Sequence, residues 1–274
     1  MPEFQAPDGA RLHFADDGAG LPVLALSGLT RNGSDFDYVA PHLADSVRLI
    51  RLDCRGRGKS EWTGPETYTV AVESGDAIAL LDHLGLDRVA VIGTSRGGLI
   101  AMVLASVAKE RLLGACLVDI GPEISASGLE AIRNYVGKNP TQETYAEAAE
   151  MRAELMKGFE HVPESRWEEE VRKHYLDSPC GLKINYDPAL RDAFLSAASA
   201  PTQDLWPMFD ALKGLPLALV RGANSDILAP ETAQEMCRQR PDMIFADVPD
   251  RGHVPFLDEP EALAAIRKWI GRLA

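Results

Sequence analysis

Short apolar runs alternate along most of the chain with longer stretches whose apolar positions recur every three or four residues. Runs near residue 4 and at 11–15, 23–27, 47–53, 89–94 and 115–119 read as buried strands, and 37–43 and 70–84 between them as helices. Such alternation predicts a mostly parallel sheet flanked by helices. From 128 to 209 the rhythm changes: 129–136, 141–159, 165–176 and 188–197 carry amphipathic helical patterns, and no strand pattern stands among them. A strand at 217–221, a helix at 230–238, a strand at 243–248 and a helix at 259–273 then resume the alternation. The expected organisation is an α/β core domain, 1–123 and 210–274, interrupted by an all-helical insertion at 124–209.

Composition narrows the class. At 274 residues and 46% hydrophobic the chain buries a full core. No apolar run approaches the roughly 20 residues of a membrane span. The opening residues, Met1-Pro-Glu-Phe-Gln-Ala-Pro-Asp, have neither the basic start nor the apolar stretch of a leader, so a soluble cytoplasmic protein is expected. A net charge of −13 opposes partnership with nucleic acid or an anionic membrane and leaves a small molecule as the expected partner, with the protein a monomer or homodimer. Cys54, Cys116, Cys180 and Cys237 lack metal-ligand spacing and read as free, mostly buried thiols; no metal site is expected.

The chemistry concentrates in Arg88 to Ile100, where an apolar run ends in Gly93-x-Ser95-x-Gly97 and leads directly into a helical pattern. A serine on a sharp strand-to-helix turn is lifted above the sheet edge with its hydroxyl free, and its neighbours must be glycine to avoid clashes. The helix that follows points its N-terminal dipole at the serine. Ser95 is thus the candidate nucleophile. A hydroxyl is a weak nucleophile at neutral pH and needs a general base, itself oriented by an acid. His253, in Asp250-Arg251-Gly252-His253-Val254-Pro255, follows the last strand pattern, where glycine and proline set a turn at the sheet's carboxyl edge. The other five histidines lie in an early strand, short helices or the charged insertion and read as structural or solvated. Asp226, in the loop after the strand at 217–221, is the expected acid and gives the order Ser, Asp, His; Asp119, ending the strand after the nucleophile's, is the rival. Two backbone N–H groups must face the developing oxyanion, and Arg96 and Leu29 are the expected donors.

Four separated motifs resemble the α/β-hydrolase superfamily of cap-bearing serine hydrolases: Ser27-Gly28-Leu29 with Ser34-Asp35-Phe36, Asp53-Cys54-Arg55-Gly56-Arg57-Gly58-Lys59-Ser60, the turn around Ser95, and the Asp226 and His253 loops. The resemblance spans nearly the whole chain and implies an α/β-hydrolase fold with the insertion as a helical cap over Ser95. It implies hydrolysis of a small to medium ester or lactone through an acyl-enzyme, with no metal or organic cofactor. Branches that use aspartate at the turn, the haloalkane dehalogenases and epoxide hydrolases, are set aside by Ser95.

Two departures stand out: Ser27-Gly28 replaces the family's usual His-Gly, and Arg96 occupies a position that is often apolar. Two roles are open to the Arg96 side chain, pairing with Asp119 or facing the acyl pocket. Arg31 has the same choice between a surface ion pair and a substrate carboxylate. Tyr135, Met156, Phe159, Trp167, Trp206 and Phe209 are candidates for pocket walls or for helix packing. Two other functions compete with the ester hydrolase: a carbon–carbon bond hydrolase of dienoic ring-cleavage products, and a hydrolase-fold ligand sensor.

Overall fold

The computed structural model describes residues 2–200 and 203–273. In chain order the strands are β1 (Glu3–Gln5), β2 (Arg11–Gly18), β3 (Leu21–Leu26), β4 (Val47–Leu52), β5 (Val89–Thr94), β6 (Leu112–Val118), β7 (Tyr175–Ser178), β8 (Gly181–Ile184), β9 (Leu217–Gly222) and β10 (Ile244–Val248). Eight of them form one sheet in the order β1-β2-β4-β3-β5-β6-β9-β10. The β1–β2 and β2–β4 pairs are antiparallel and the rest parallel, as the strand–helix alternation predicts.

Successive side chains of the central strands point to opposite faces and so build two cores. On β3, Leu24 and Leu26 enter one and Val23 and Ala25 the other; on β5, Val89 and Val91 enter the first and Ala90 and Ile92 the second. The helices α2 (Val70–His83) and α3 (Arg96–Val107) cover the first face with residues such as Leu80, Leu81 and Ile100, after α1 (Ala40–Leu43) has joined β3 to β4. The last helix of the chain, Pro260–Ile270, covers the second face through Ala262, Ile266 and Trp269, which are fully buried. Burial of each large apolar side chain of this kind stabilises the fold by about 1.5–3 kcal/mol.

Residues 124–209, of which 201 and 202 lie outside the described residues, contain α4 (Ala126–Tyr135), α5 (Tyr145–Leu155), α6 (Glu164–His174), α7 (Leu190–Ser199) and the start of α8 (Trp206–Asp210). The chain then continues through α9 (Pro230–Gln239) to α10 (Pro260–Ile270). The expectation of an all-helical insertion is corrected in one place: β7 and β8 form an antiparallel hairpin between α6 and α7. Each strand is four residues long, and only Leu182 and Ile184 alternate inward, too short a period to stand out from the flanking helical pattern. The expected helix at 165–176 therefore stops at His174.

This segment docks on loops at the carboxyl ends of the core strands. Asn224 Nδ2 donates to Gly158 O at 2.9 Å, the Glu160 N–H to Asp250 O at 3.1 Å, and Arg166 pairs with Asp258 at 2.6 Å. Among the described residues, no helix is long and apolar enough to cross a membrane. All four cysteines are free; Cys54 and Cys116 are buried, Cys237 partly so, and Cys180 exposed.

Candidate active site

Ser95 links β5 to α3 with φ 51° and ψ −115°, a conformation that costs a non-glycine residue free energy and persists only where its surroundings enforce it. Close packing does so here. A Cβ on Gly97 would lie 2.0 Å from the Leu26 carbonyl oxygen, and one on Gly93 would lie 2.4 Å from that of Gly97, so only glycine admits the turn. The Ser95 N–H donates to Val118 O on the neighbouring strand at 2.9 Å.

His253 stands across from it. Ser95 Oγ and His253 Nε2 are 2.9 Å apart, with the hydroxyl donating, and His253 Nδ1 donates to Asp119 Oδ2 at 2.6 Å. The carboxylate that reaches the imidazole is thus Asp119 and not Asp226, which corrects the expected geometry. Asp119 follows β6, which pairs with the strand β5 that leads to Ser95, and it has φ 54° and no solvent exposure. In the loop after β9 it is Ser225 whose side chain turns inward, donating to Asp119 Oδ2 at 2.6 Å, while the Gly222 N–H donates to Oδ1 at 3.0 Å. Asp226, one residue further, is exposed.

The two expected oxyanion donors come from opposite sides of Ser95. Arg96 is the first residue of α3, where the helix leaves N–H groups without an intrahelical acceptor. Leu29 lies in the loop after β3, and that loop packs on Ser95: the point where a Cβ on Gly28 would sit is 3.7 Å from Ser95 Cβ and 3.5 Å from Arg31 Cγ. The Leu29 carbonyl accepts from Arg57 Nε at 2.7 Å. The Arg96 side chain takes neither of the roles left open for it. Its Nε donates to Glu73 Oε2 at 2.6 Å and its Nη2 to Tyr68 O at 2.8 Å. Glu73 is fully buried, and Arg57 Nη1 donates to its other oxygen at 2.5 Å. Burial alone would raise this carboxyl's pKa; Arg57 and Arg96 outweigh that and lower it.

Arg31 is likewise more deeply engaged than the expected surface pair. Its Nη1 donates to Glu170 Oε2 at 3.0 Å and to His174 Nε2 at 2.7 Å, joining the β3 loop to α6. Arg152 approaches the same Glu170 oxygen at 3.5 Å, and its buried Nε has no hydrogen-bond partner. Burial opposes ionisation of Glu170, yet Arg31 and Arg152 hold its pKa down at about 2. Burial, reinforced by Arg31 and Arg152, pushes His174 well below the usual imidazole value and leaves it uncharged. Beside these charges lies a cavity of about 20 Å³, walled by Arg31, Thr94, Phe159, Trp167, Glu170 and Val254. Trp206 packs edge-on against Phe209 at 5.8 Å and donates its indole N–H to Glu123 at 2.8 Å, so its ring is engaged with the core. Sequence reasoning missed Glu73, Arg152, Glu170 and Ser225, and read His174 only as structural or solvated, where it is buried. Of these only Ser225 stands in a motif, the Asp226 loop, and each acquires its setting from residues far away in the chain. Among the described residues no cluster of His, Cys, Asp and Glu has the makings of a metal site.

Comparison with known proteins agrees with this architecture. The chain is 36% identical over 264 residues, 92% of its length and 89% of the relative's, to a 3-hydroxybutyrate-oligomer hydrolase of Cupriavidus necator. It is 27% identical, over 94% of its own length and 91% of the relative's, to a 2-(acetamidomethylene)succinate hydrolase of Mesorhizobium japonicum. The solved structure of an alpha/beta hydrolase from Novosphingobium aromaticivorans superimposes with a TM-score of 0.92 at 38% identity, covering 99% of this chain and 97% of that one. With the model of the alpha/beta hydrolase family matching residues 23–266, nearly the whole sheet and its helices, the chain belongs to that family.

Proposed function

We propose that this protein is a serine hydrolase that cleaves a carboxylic ester of a hydroxy acid through an acyl-enzyme on Ser95. The observation that carries the reading is the unbroken hydrogen-bonded line from Ser95 Oγ to His253, 2.9 Å, and from His253 to the buried Asp119, 2.6 Å. Ser95 Oγ attacks the ester carbonyl carbon while its proton passes to His253 Nε2, and Asp119 stabilises the imidazolium. The negative charge that forms on the carbonyl oxygen meets the N–H groups of Leu29 and Arg96. Collapse breaks the bond to the leaving alkoxide, which takes the proton from His253. Water then repeats the sequence on the acyl-enzyme, releasing the acid and free Ser95. In this reading residues 124–209 act as a cap that restricts access of water and substrate to Ser95.

The relatives' names and the charges at the site support this substrate class. A 3-hydroxybutyrate oligomer is a chain of esters with a free carboxylate at one end, and succinate is a dicarboxylate. Arg31 and Arg152 place two guanidinium groups on the loop beside Ser95 and on the facing helix α5. The test is acid release from linear 3-hydroxybutyrate dimer and trimer, with a panel of chromogenic esters, by wild type and Ser95→Ala. Multiple turnover by wild type, abolished in Ser95→Ala, is expected. Turnover that survives the alanine change overturns the nucleophile, and silence from both proteins across oligomers and esters overturns the enzyme reading in favour of a ligand sensor.

A further inference from the structure

Glu73 has no part in the line of Ser95, His253 and Asp119, yet it is completely buried and charged. Its two oxygens are divided between two arginines: Oε1 accepts from Arg57 Nη1 at 2.5 Å and Oε2 from Arg96 Nε at 2.6 Å. Those arginines lead to the two sides of the serine. Arg57 passes through its Nε to the Leu29 carbonyl at 2.7 Å and so fixes the loop whose Gly28 packs on Ser95. Arg96 is the residue after the nucleophile, and its own N–H is the second proposed donor. The loop after β3 and the start of α3 thus share one carboxylate. Glu73 lies in the first turn of α2, capped by Thr69, where the helix dipole favours its negative charge.

We propose that Glu73 is the positioning residue of the oxyanion hole. Through Arg57 it sets the Leu29 loop, and through Arg96 the start of α3, at the separation that lets both N–H groups meet one tetrahedral oxygen. The proposal rests on the serine-hydrolase reading above. Oxyanion stabilisation acts on the transition state and not on the ground-state ester, so the role has a signature that general stabilisation of the fold lacks.

The experiment uses the full chain of wild type and Glu73→Gln, each normalised by titrating Ser95 with a fluorophosphonate, which tests the nucleophile separately. The steady-state constants for an ester are then compared with the inhibition constant of a trifluoromethyl ketone, which adds to Ser95 Oγ and becomes an oxyanion. Expected is a fall in kcat of about 10- to 100-fold per titrated site with KM within about twofold, and a rise in the inhibition constant by the same factor as the loss in kcat/KM. If Glu73→Gln does not accumulate folded, Arg96→Met carries the same test, since it leaves Glu73 paired with Arg57. Wild-type kcat and inhibition constant per titrated site, a loss confined to KM, or a fall in kcat without a matching rise in the inhibition constant would each overturn the proposal.

Discussion

Ser225 and His253 converge on one atom: both donate to Oδ2 of Asp119, each at 2.6 Å. The Ser225 hydroxyl also accepts from the N–H groups of Ile227 and Leu228, at 3.2 and 3.1 Å. Its single proton is therefore directed at the aspartate by the turn itself. The carboxylate is held from one side by the loop after β9 and from the other by the imidazole it orients.

Removal of the acid separates the two aspartates. Asp119→Asn is expected to lower kcat by about a thousandfold or more, because an amide at that place favours the wrong histidine tautomer. Asp226→Asn is expected to keep wild-type kcat. Ester turnover by the two variants under identical conditions checks the pair, and a severe loss in Asp226→Asn would count against the acid assigned here.

Ser225→Ala takes one donor from Asp119 without touching the imidazole. A rise in the activation barrier of about 1.5–3 kcal/mol, the range of a hydrogen bond to a charged group, is expected. The kcat/KM of wild type and variant for one ester, under identical conditions, measures it.

Arg152 has a donor left over, its Nε, in a setting where burial already lowers the guanidinium's pKa. If the substrate presents a carboxylate to it, wild type should prefer a free-acid oligomer to its methyl ester. The ratio of kcat/KM for the two should fall by roughly tenfold in Arg152→Gln, the scale of one charge-assisted bond. Equal ratios in the two proteins would remove the carboxylate from the substrate class.

The buried charges of α6 predict a stability that declines on acidification. His174 is uncharged in the folded protein, and its pKa is well below the 6.5 of an unfolded histidine, so its contribution is complete above that value and is lost as pH falls below it. Glu170, held at about 2 against an ordinary 4.5, adds a second loss below pH 4.5. The slope contributed by each group is at most about 1.4 kcal/mol per pH unit. Urea unfolding of wild type and His174→Gln between pH 7 and 5 checks the first step, which should be shallower in the variant.

The glycines of the Ser95 turn leave little tolerance. Gly97→Ala drives a Cβ to 2.0 Å from Leu26 O, backbone that cannot yield without moving β3. A loss of about 3 kcal/mol or more is expected, the upper range of overpacking. Thermal or urea unfolding measures it.

What was legible in the chain divides by range. Ser95 and His253 declare themselves because glycines and a proline nearby dictate their turns, and the central strands because their apolar runs lie between turn residues. Asp119 and Asp226 both follow a strand, and the choice between them depends on which loop residue turns inward after Gly222, a matter of three-dimensional packing. Glu73 sits on an ordinary amphipathic helix and is buried only because Arg57 and Arg96 converge on it. The β7–β8 hairpin is too short to show a period, and Arg31 finds Glu170 across 139 residues.

The register of two strands has a bearing on how the site comes together. Thr94 pairs with Val118, so Ser95 and Asp119 are the next residues out on adjacent strands, brought level by the same ladder that joins β5 to β6. Their mutual placement needs a loop closure of only some two dozen residues, whereas His253 must arrive from 134 positions beyond Asp119. Ser95 and Asp119 are therefore brought together by a short stretch of chain, whereas His253, and the Gly222 and Ser225 groups that hold Asp119, all come from the last third of the chain, which completes the sheet.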